Sequence, residues 1–227
     1  MLQPASKKHM DAIGLYGQLM EEVKVRIAAI QHISEGKTGL PGPIAQEIFY
    51  LQLRLIIELI ALGALVAHGD IAEASRLKKE WKANEILERL EELHPSFFPQ
   101  PAKQLTIGGK AHIERVDGGM SKEEMIKLYC RSGDYLHKGN LKKLLKAKQP
   151  SQILFPILMR HVTGIIKLLN FHVISLVGDE QMIACGMQTV EKNNCVSVSI
   201  FQKLTNPNVI AAAERASDPN LLVYPNE

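Results

Sequence analysis

Between the breakers "GLPGP" and "HGD" runs "IAQEIFYLQLRLIIELIALGALVA", residues 44–67, whose second half carries almost no polar side chain. Glycine and proline fix both ends, and an apolar run of this length reads as a helix that other elements must cover. Its most apolar window, "LIIELIALGALVA" at 55–67, is 13 residues long and contains Glu58. That is short of the roughly 20 residues a membrane span requires, so the expectation is a buried helix and no membrane.

Arg54 and Glu58 interrupt this helix one turn apart. A charge on a core-facing stripe must be paired, because desolvating it alone costs several kcal/mol by general estimates, on the order of 3–5 for a pair broken in the interior. Two readings stay open. The two residues neutralise each other at a partly exposed face, or one of them reaches a polar residue on a facing helix and positions it.

The remaining chain offers partners. Residues 9–35 place Ile13, Leu15, Leu19, Val23, Ile27 and Ile30 at helical spacing. Asp70 is placed as the N-cap of a charged helix, "IAEASRLKKEWKANEILERLEEL", with a break expected near Ala83. From 94 to 120 prolines and glycines make an irregular excursion, with a hairpin across "LTIGGKAHIERV". Ser121 and Glu124 form an S-x-x-E capping box that starts "KEEMIKLYCRSGDYLH", and Gly139 is expected to stop it. Another apolar helix covers about 151–171, after which "HVISLVGDEQMIACGMQTVEKNNCVSVSIFQ" changes to the period of a three-stranded meander. The fold class is mainly α: a bundle of four principal helices over 1–172, a small C-terminal antiparallel β meander at 173–202, and a loosely attached tail at 203–227.

A hydrophobic content of 46% with 22% charged residues belongs to a globular chain, and a net charge of +3 is too small by itself to argue for nucleic acid. Three cysteines, Cys130, Cys185 and Cys195, have no C-x-x-C spacing and suggest a reducing, cytoplasmic setting. No signal-peptide core follows the N-terminal basic residues. "EGKTG" at 35–39 lacks both the earlier glycine and the preceding strand of a phosphate loop and reads as an interhelical turn. The eight histidines show no ligand spacing, so no metal and no cofactor are expected, and His161 beside Arg160 reads as a satisfied or surface histidine.

"CRSGDYLHKGN" at 130–140 is the chemically densest stretch. Arg131, Asp134 and His137 are spaced i, i+3, i+6 along a ridge that drifts about 120° around a helix. Asp134 is positioned to bond both neighbours and raise the basicity of the imidazole. Gly133 costs about 1 kcal/mol against alanine inside a helix and asks for a close neighbour, a second helix or a ligand. The bland alternative is that Arg131 and His137 favour the negative end of the helix dipole. Lys138, Lys142, Lys143, Lys146 and Lys148 follow in an acid-free stretch, which concentrates positive charge beside His137 and suits a phosphodiester.

Arg131 and His137 in "RSGDYLH", with "YLQLRLIIELIALGALVAH" and "LYCRSGDYLHKGN", resemble the HEPN family, helical domains marked by R-x(4–6)-H near the end of a bundle helix. The resemblance covers roughly residues 10–172. It implies a homodimer that brings two such helices together and, in active members, metal-independent RNA cleavage by 2′-hydroxyl attack on phosphate, in toxins or defence factors with an antitoxin or other protein partner. His137 would be general acid or base and Arg131 would stabilise phosphoryl charge. Asp134, Tyr135, Ser132, Glu58 and Arg54 would support them, and Lys138, Lys142, Lys143 and Lys146 would hold nucleic acid. Ser132 stands directly after the arginine, where many active members carry an amide, an acid or a histidine. The competing expectation is a non-catalytic helical dimer that binds a nucleotide, nucleic acid or partner protein.

Overall fold

A computed structural model describes residues 7–69, 77, 79–107, 110–137, 154–178, 181–189, 193–203 and 210–215. Five helices are present among them: α1 (Lys7–Ser34), α2 (Gly42–Ala67), α3 (Ala83–Leu93), α4 (Lys122–Leu136) and α5 (Phe155–Leu169). Six strands complete the fold: β1 (Gln100–Ile107), β2 (Lys110–Arg115), β3 (Phe171–Ser175), β4 (Gln181–Thr189), β5 (Cys195–Lys203) and β6 (Ile210–Arg215). The chain is mainly helical with an antiparallel sheet.

The apolar run that opened the sequence is α2, and it lies against α1, α3 and α4. By length and composition it could cross a bilayer, with a mean hydropathy of 1.9 over its best window. Its apolar side chains are instead spent inside the protein. Phe49, Leu53, Ile56, Ile57 and Ile60 have almost no exposure and share one core with Ile13, Tyr16, Met20 and Val23 of α1.

The sheet is larger than the sequence suggests. Its order is β2-β1-β3-β4-β5-β6, so the hairpin joins the meander through the pairs Gln100↔Val173 and Pro101↔His172. Nothing local in the sequence announces that pairing, because both last helices intervene. The region 203–227, expected as a loose tail, supplies β6, which pairs with β5. The meander is no appendage either: Ile174, Ile183, Cys185, Val198 and Ile200 enter the helical core. Their alternate neighbours Val173, Met182, Ala184 and Phe201 turn the other way and meet Ala102 and Ile113 in a second, smaller core. Terminal strands β2 and β6 come back into contact, which curls the sheet around that core. Burial on both faces explains why β3 and β4 read as continuous apolar runs.

A buried polar bond fastens α1 to the sheet. Tyr16 Oη donates to His172 Nε2 at 2.5 Å, while His172 Nδ1 donates to the Leu169 carbonyl at 2.8 Å. Nε2 can accept only when the ring is neutral, and burial pushes this histidine down to about 4. The expected break near Ala83 is where α3 begins, and the Asp70 cap lies outside the described residues. "EGKTG" forms the turn between α1 and α2, with the Lys37 amide bonded to the His32 carbonyl.

Candidate functional site

Helix α4 carries Arg131, Asp134 and Tyr135, with His137 as its C-cap, and its start is set locally. Ser121 Oγ accepts from the Glu124 amide at 3.2 Å and Glu124 Oε2 accepts from the Ser121 amide at 2.9 Å, a complete capping box. Gly119 places that cap against α5. At φ +81° an alanine Cβ would sit 2.7 Å from Leu168 Cα, so no larger residue fits while the Met120 amide bonds the Gly164 carbonyl. Met125, Leu128, Tyr129, Ser132 and Gly133 form the buried stripe of α4, and Lys127, Cys130, Arg131, Asp134 and His137 face outward.

Opposite this stripe, α2 presents Gln46, Tyr50, Arg54 and Glu58 at strict four-residue steps, one polar ridge on a largely apolar helix. Each rung meets α4. Gln46 Nε2 donates to Tyr135 Oη at 2.7 Å, and its Oε1 accepts from the Leu154 amide at 2.6 Å. Tyr50 stacks on Tyr135 with ring centroids 4.2 Å apart. Arg54 Nη2 donates to Tyr129 Oη at 2.6 Å, and the guanidinium lies 4.1 Å from the centre of that ring. Tyr129 Oη in turn donates to Glu58 Oε1 at 3.2 Å, and Glu58 pairs with Arg54 at 3.2 Å. The Ala83 amide at the start of α3 also donates toward the Tyr129 oxygen. Burial pushes the Tyr129 hydroxyl up, with the Arg54 charge opposing it.

This ridge answers for Gly133. A Cβ there would stand 2.7 Å from Arg54 Nη1, so the close neighbour is the arginine of the facing helix. Of the two readings of Arg54 and Glu58, the structure has both at once: they pair, and together they hold Tyr129.

The predicted pair is arranged differently from a linear motif. Arg131 is exposed on α4 and its guanidinium lies toward the Tyr50 hydroxyl, where its charge partly offsets the upward push of burial on that tyrosine. It also acts on His161 of α5, whose basicity is lowered first by burial and then by the Arg131 charge, with Glu124 working the other way. His161 is therefore a half-buried neighbour of the arginine rather than a bystander. His137 is exposed at the C-cap, its backbone amide bonded to the Gly133 carbonyl at 3.0 Å. Its ring and the Arg131 side chain lie about 120° apart around the helix, which is the drift of the ridge.

The supporting residues divide. Tyr135 stays at the site through Tyr50 and Gln46. Ser132 does not: it is fully buried and its hydroxyl donates to the Leu128 carbonyl one turn back at 2.8 Å. Arg54 and Glu58 serve Tyr129 rather than Arg131 or His137. Asp134 is exposed. Lys138, Lys142, Lys143 and Lys146, and the Gly139 stop, lie outside the described residues. Gln46, Tyr50 and Tyr129 carry no signal in the linear motif; the four-residue ladder on α2 was a visible signal for the first two, and Tyr129 four residues before Gly133 was its counterpart. Comparison with protein-family models, with curated proteins and with solved structures gives no match to this chain.

Proposed function

We propose that the protein is a HEPN-like, metal-independent endoribonuclease that works as a homodimer and cleaves RNA by attack of a 2′-hydroxyl on the adjacent phosphorus. The observation that carries the reading is Arg131: an exposed guanidinium on a capped bundle helix, directed toward the Tyr50 hydroxyl, with its charge felt by the His161 imidazole and with His137 exposed at the end of the same helix. In the reaction an imidazole removes the 2′-hydroxyl proton, the new P–O bond forms as the 5′-oxygen departs, and an acid returns a proton to that oxygen. Arg131 balances the charge that builds on the phosphoryl oxygens. A dimer supplies a second Arg131 and His137 across a two-fold axis, and so a second imidazole for the acid step.

The purified protein is expected to cut single-stranded RNA with EDTA present and to lose this activity as Arg131→Ala and as His137→Ala. Cleavage that survives both changes overturns the reading. Loss in His161→Ala with His137→Ala still active moves the proton-transfer role to α5. The divergence of Arg131 and His137 by about 120° around α4 favours a second reading, a helical dimer that binds a nucleotide, nucleic acid or partner protein without turnover. That reading expects salt-sensitive RNA binding, weakened by Arg131→Ala, and no product.

A further inference from the structure

Helix α2 is apolar even on the side that the core does not cover. Ile44, Ile48, Leu51, Leu55 and Leu62 form a row opposite Leu53, Ile57 and Ile60, with Glu58 as its one polar member. Ile44 is 44% exposed and Leu51 40%, while Ile48, Leu55 and Leu62 are half-buried. A surface helix ordinarily turns polar side chains outward, and a helix that is apolar all round is covered on every side. Here α1, α3 and α4 pack against α2 and still leave this row open.

The spacing says what shape fits there. From Ile44 to Leu62 the row steps by four, three, four, three and four residues. That alternation is the 3.5-residue repeat by which one α-helix seats its side chains between those of another along a shared seam. The occupant is therefore a helix laid along α2. Charges along the edges of the seam are already paired: Arg26 of α1 donates to Gln52 at 2.9 Å and pairs with Glu22, and Arg54 pairs with Glu58 at 3.2 Å. Covering the seam strands neither pair.

A bilayer surface does not match this chemistry, because helices that lie on one carry lysine and arginine beside the apolar face. Helix α2 has no lysine, and its one arginine, Arg54, is taken up by Tyr129 and Glu58. Every copy of the chain, by contrast, carries a helix with the matching seam, and two such faces related by a two-fold axis complement each other. The area agrees. Eighteen residues at 1.5 Å each and a helix about 10 Å wide give roughly 270 Å² per copy, the apolar centre of an interface that takes about 800 Å² from each side. Leu40, just ahead of α2, and Leu15, three turns from Arg26 on the same side of α1, are exposed and widen it.

We propose that two copies of this chain dimerise through the outer row of α2, laid against the α2 of the second copy. This gives the homodimer of the RNA reading its interface and to that extent rests on that reading, but the measurement that decides it is mass rather than cleavage.

Light scattering after size exclusion reads that mass. The wild type should show twice the mass of one chain, and Leu51→Glu and Ile44→Glu should each be monomers with unchanged helical circular dichroism. Val25→Glu is the control: Val25 is 58% exposed but lines the groove between α1 and α5, and this variant should stay dimeric. A wild type that is monomeric at every concentration overturns the proposal, as does a dimer that survives both glutamate variants or one that Val25→Glu dissociates equally. Should a glutamate variant lose its helical signal, the uncharged Leu51→Gln replaces it: its dimer dissociation constant should rise about tenfold, and an unchanged one overturns the interface. Cleavage assays on the same preparations keep the two ideas apart. An α2 dimer that cuts no RNA upholds the interface and overturns the RNA reading, and a monomer that cuts RNA does the reverse.

Discussion

Arg54 and Arg131 cross the same helix pair in opposite directions. Arg54 leaves α2 for Tyr129 of α4, and Arg131 leaves α4 toward Tyr50 of α2. Each lies beside a tyrosine hydroxyl, yet the two sites differ in what remains available. Arg54, with its side chain 18% exposed, is spent on Tyr129, Glu58 and the Tyr129 ring. Arg131 is exposed, with its charge felt by Tyr50 and His161 and its outer face open to water. One arginine holds the helices together, and the other uses the frame so made to stand at the surface. The proposed chemistry rests on the second, and the packing of α2 on α4 on the first.

The widest test of that division is Arg54→Met. It removes the hydrogen bond and the ring contact, and it leaves Glu58 and the Tyr129 hydroxyl short of partners in a mostly buried place. Removing one partner from such a network costs roughly 2–4 kcal/mol, to be read as a lower urea midpoint with unchanged slope. A loss within about 0.5 kcal/mol would mean that the ridge is ornamental and that apolar packing alone joins α2 to α4.

Next in size is Gly133→Ala. Alanine is favoured over glycine inside a helix by about 1 kcal/mol, so in open space the change would stabilise α4. Here the new Cβ meets Arg54 Nη1 at 2.7 Å, and moving a guanidinium held on three sides should outweigh that gain, for a net loss of about 1 kcal/mol. The sign should reverse in the Arg54→Met background, where the clash is gone and alanine becomes stabilising by about 1 kcal/mol. A Gly133→Ala change that stabilises the wild type would show that Arg54 yields freely.

How much of this was legible depends on the range of each interaction. The Ser121–Glu124 box spans three residues and both of its bonds are local, so spacing was enough to place the start of α4. The need for something close at Gly133 was also readable, because a glycine in mid-helix carries a known cost. What approached it was not, since Arg54 comes from another helix. The joining of β1 to β3 was invisible for the same reason: Gln100 pairs with Val173 across the whole of α4 and α5 in sequence. Ser132 sat beside Arg131 in sequence, but adjacent residues on a helix diverge by about 100°, and its hydroxyl turned into the core. A net rotation of about 120° separates Arg131 from His137, and His161, on a different helix, feels the guanidinium charge.

Arg131→Ala is the smallest stability effect and the sharpest functional one. Its guanidinium is exposed, so its loss removes a solvent-screened interaction with the Tyr50 hydroxyl and uncovers no buried charge. Exposed contacts of this kind contribute about 0–1 kcal/mol, and the urea midpoint should move by less than about 0.5 kcal/mol, far below the Arg54→Met loss. RNA cleavage, or RNA binding if there is no turnover, should fall to background in the same preparation. A protein destabilised as much as Arg54→Met would place Arg131 in the frame, and a functional loss there could then be read as unfolding. A stable protein without activity keeps the two arginines apart, one holding α2 on α4 and one free of the frame and needed for the proposed activity.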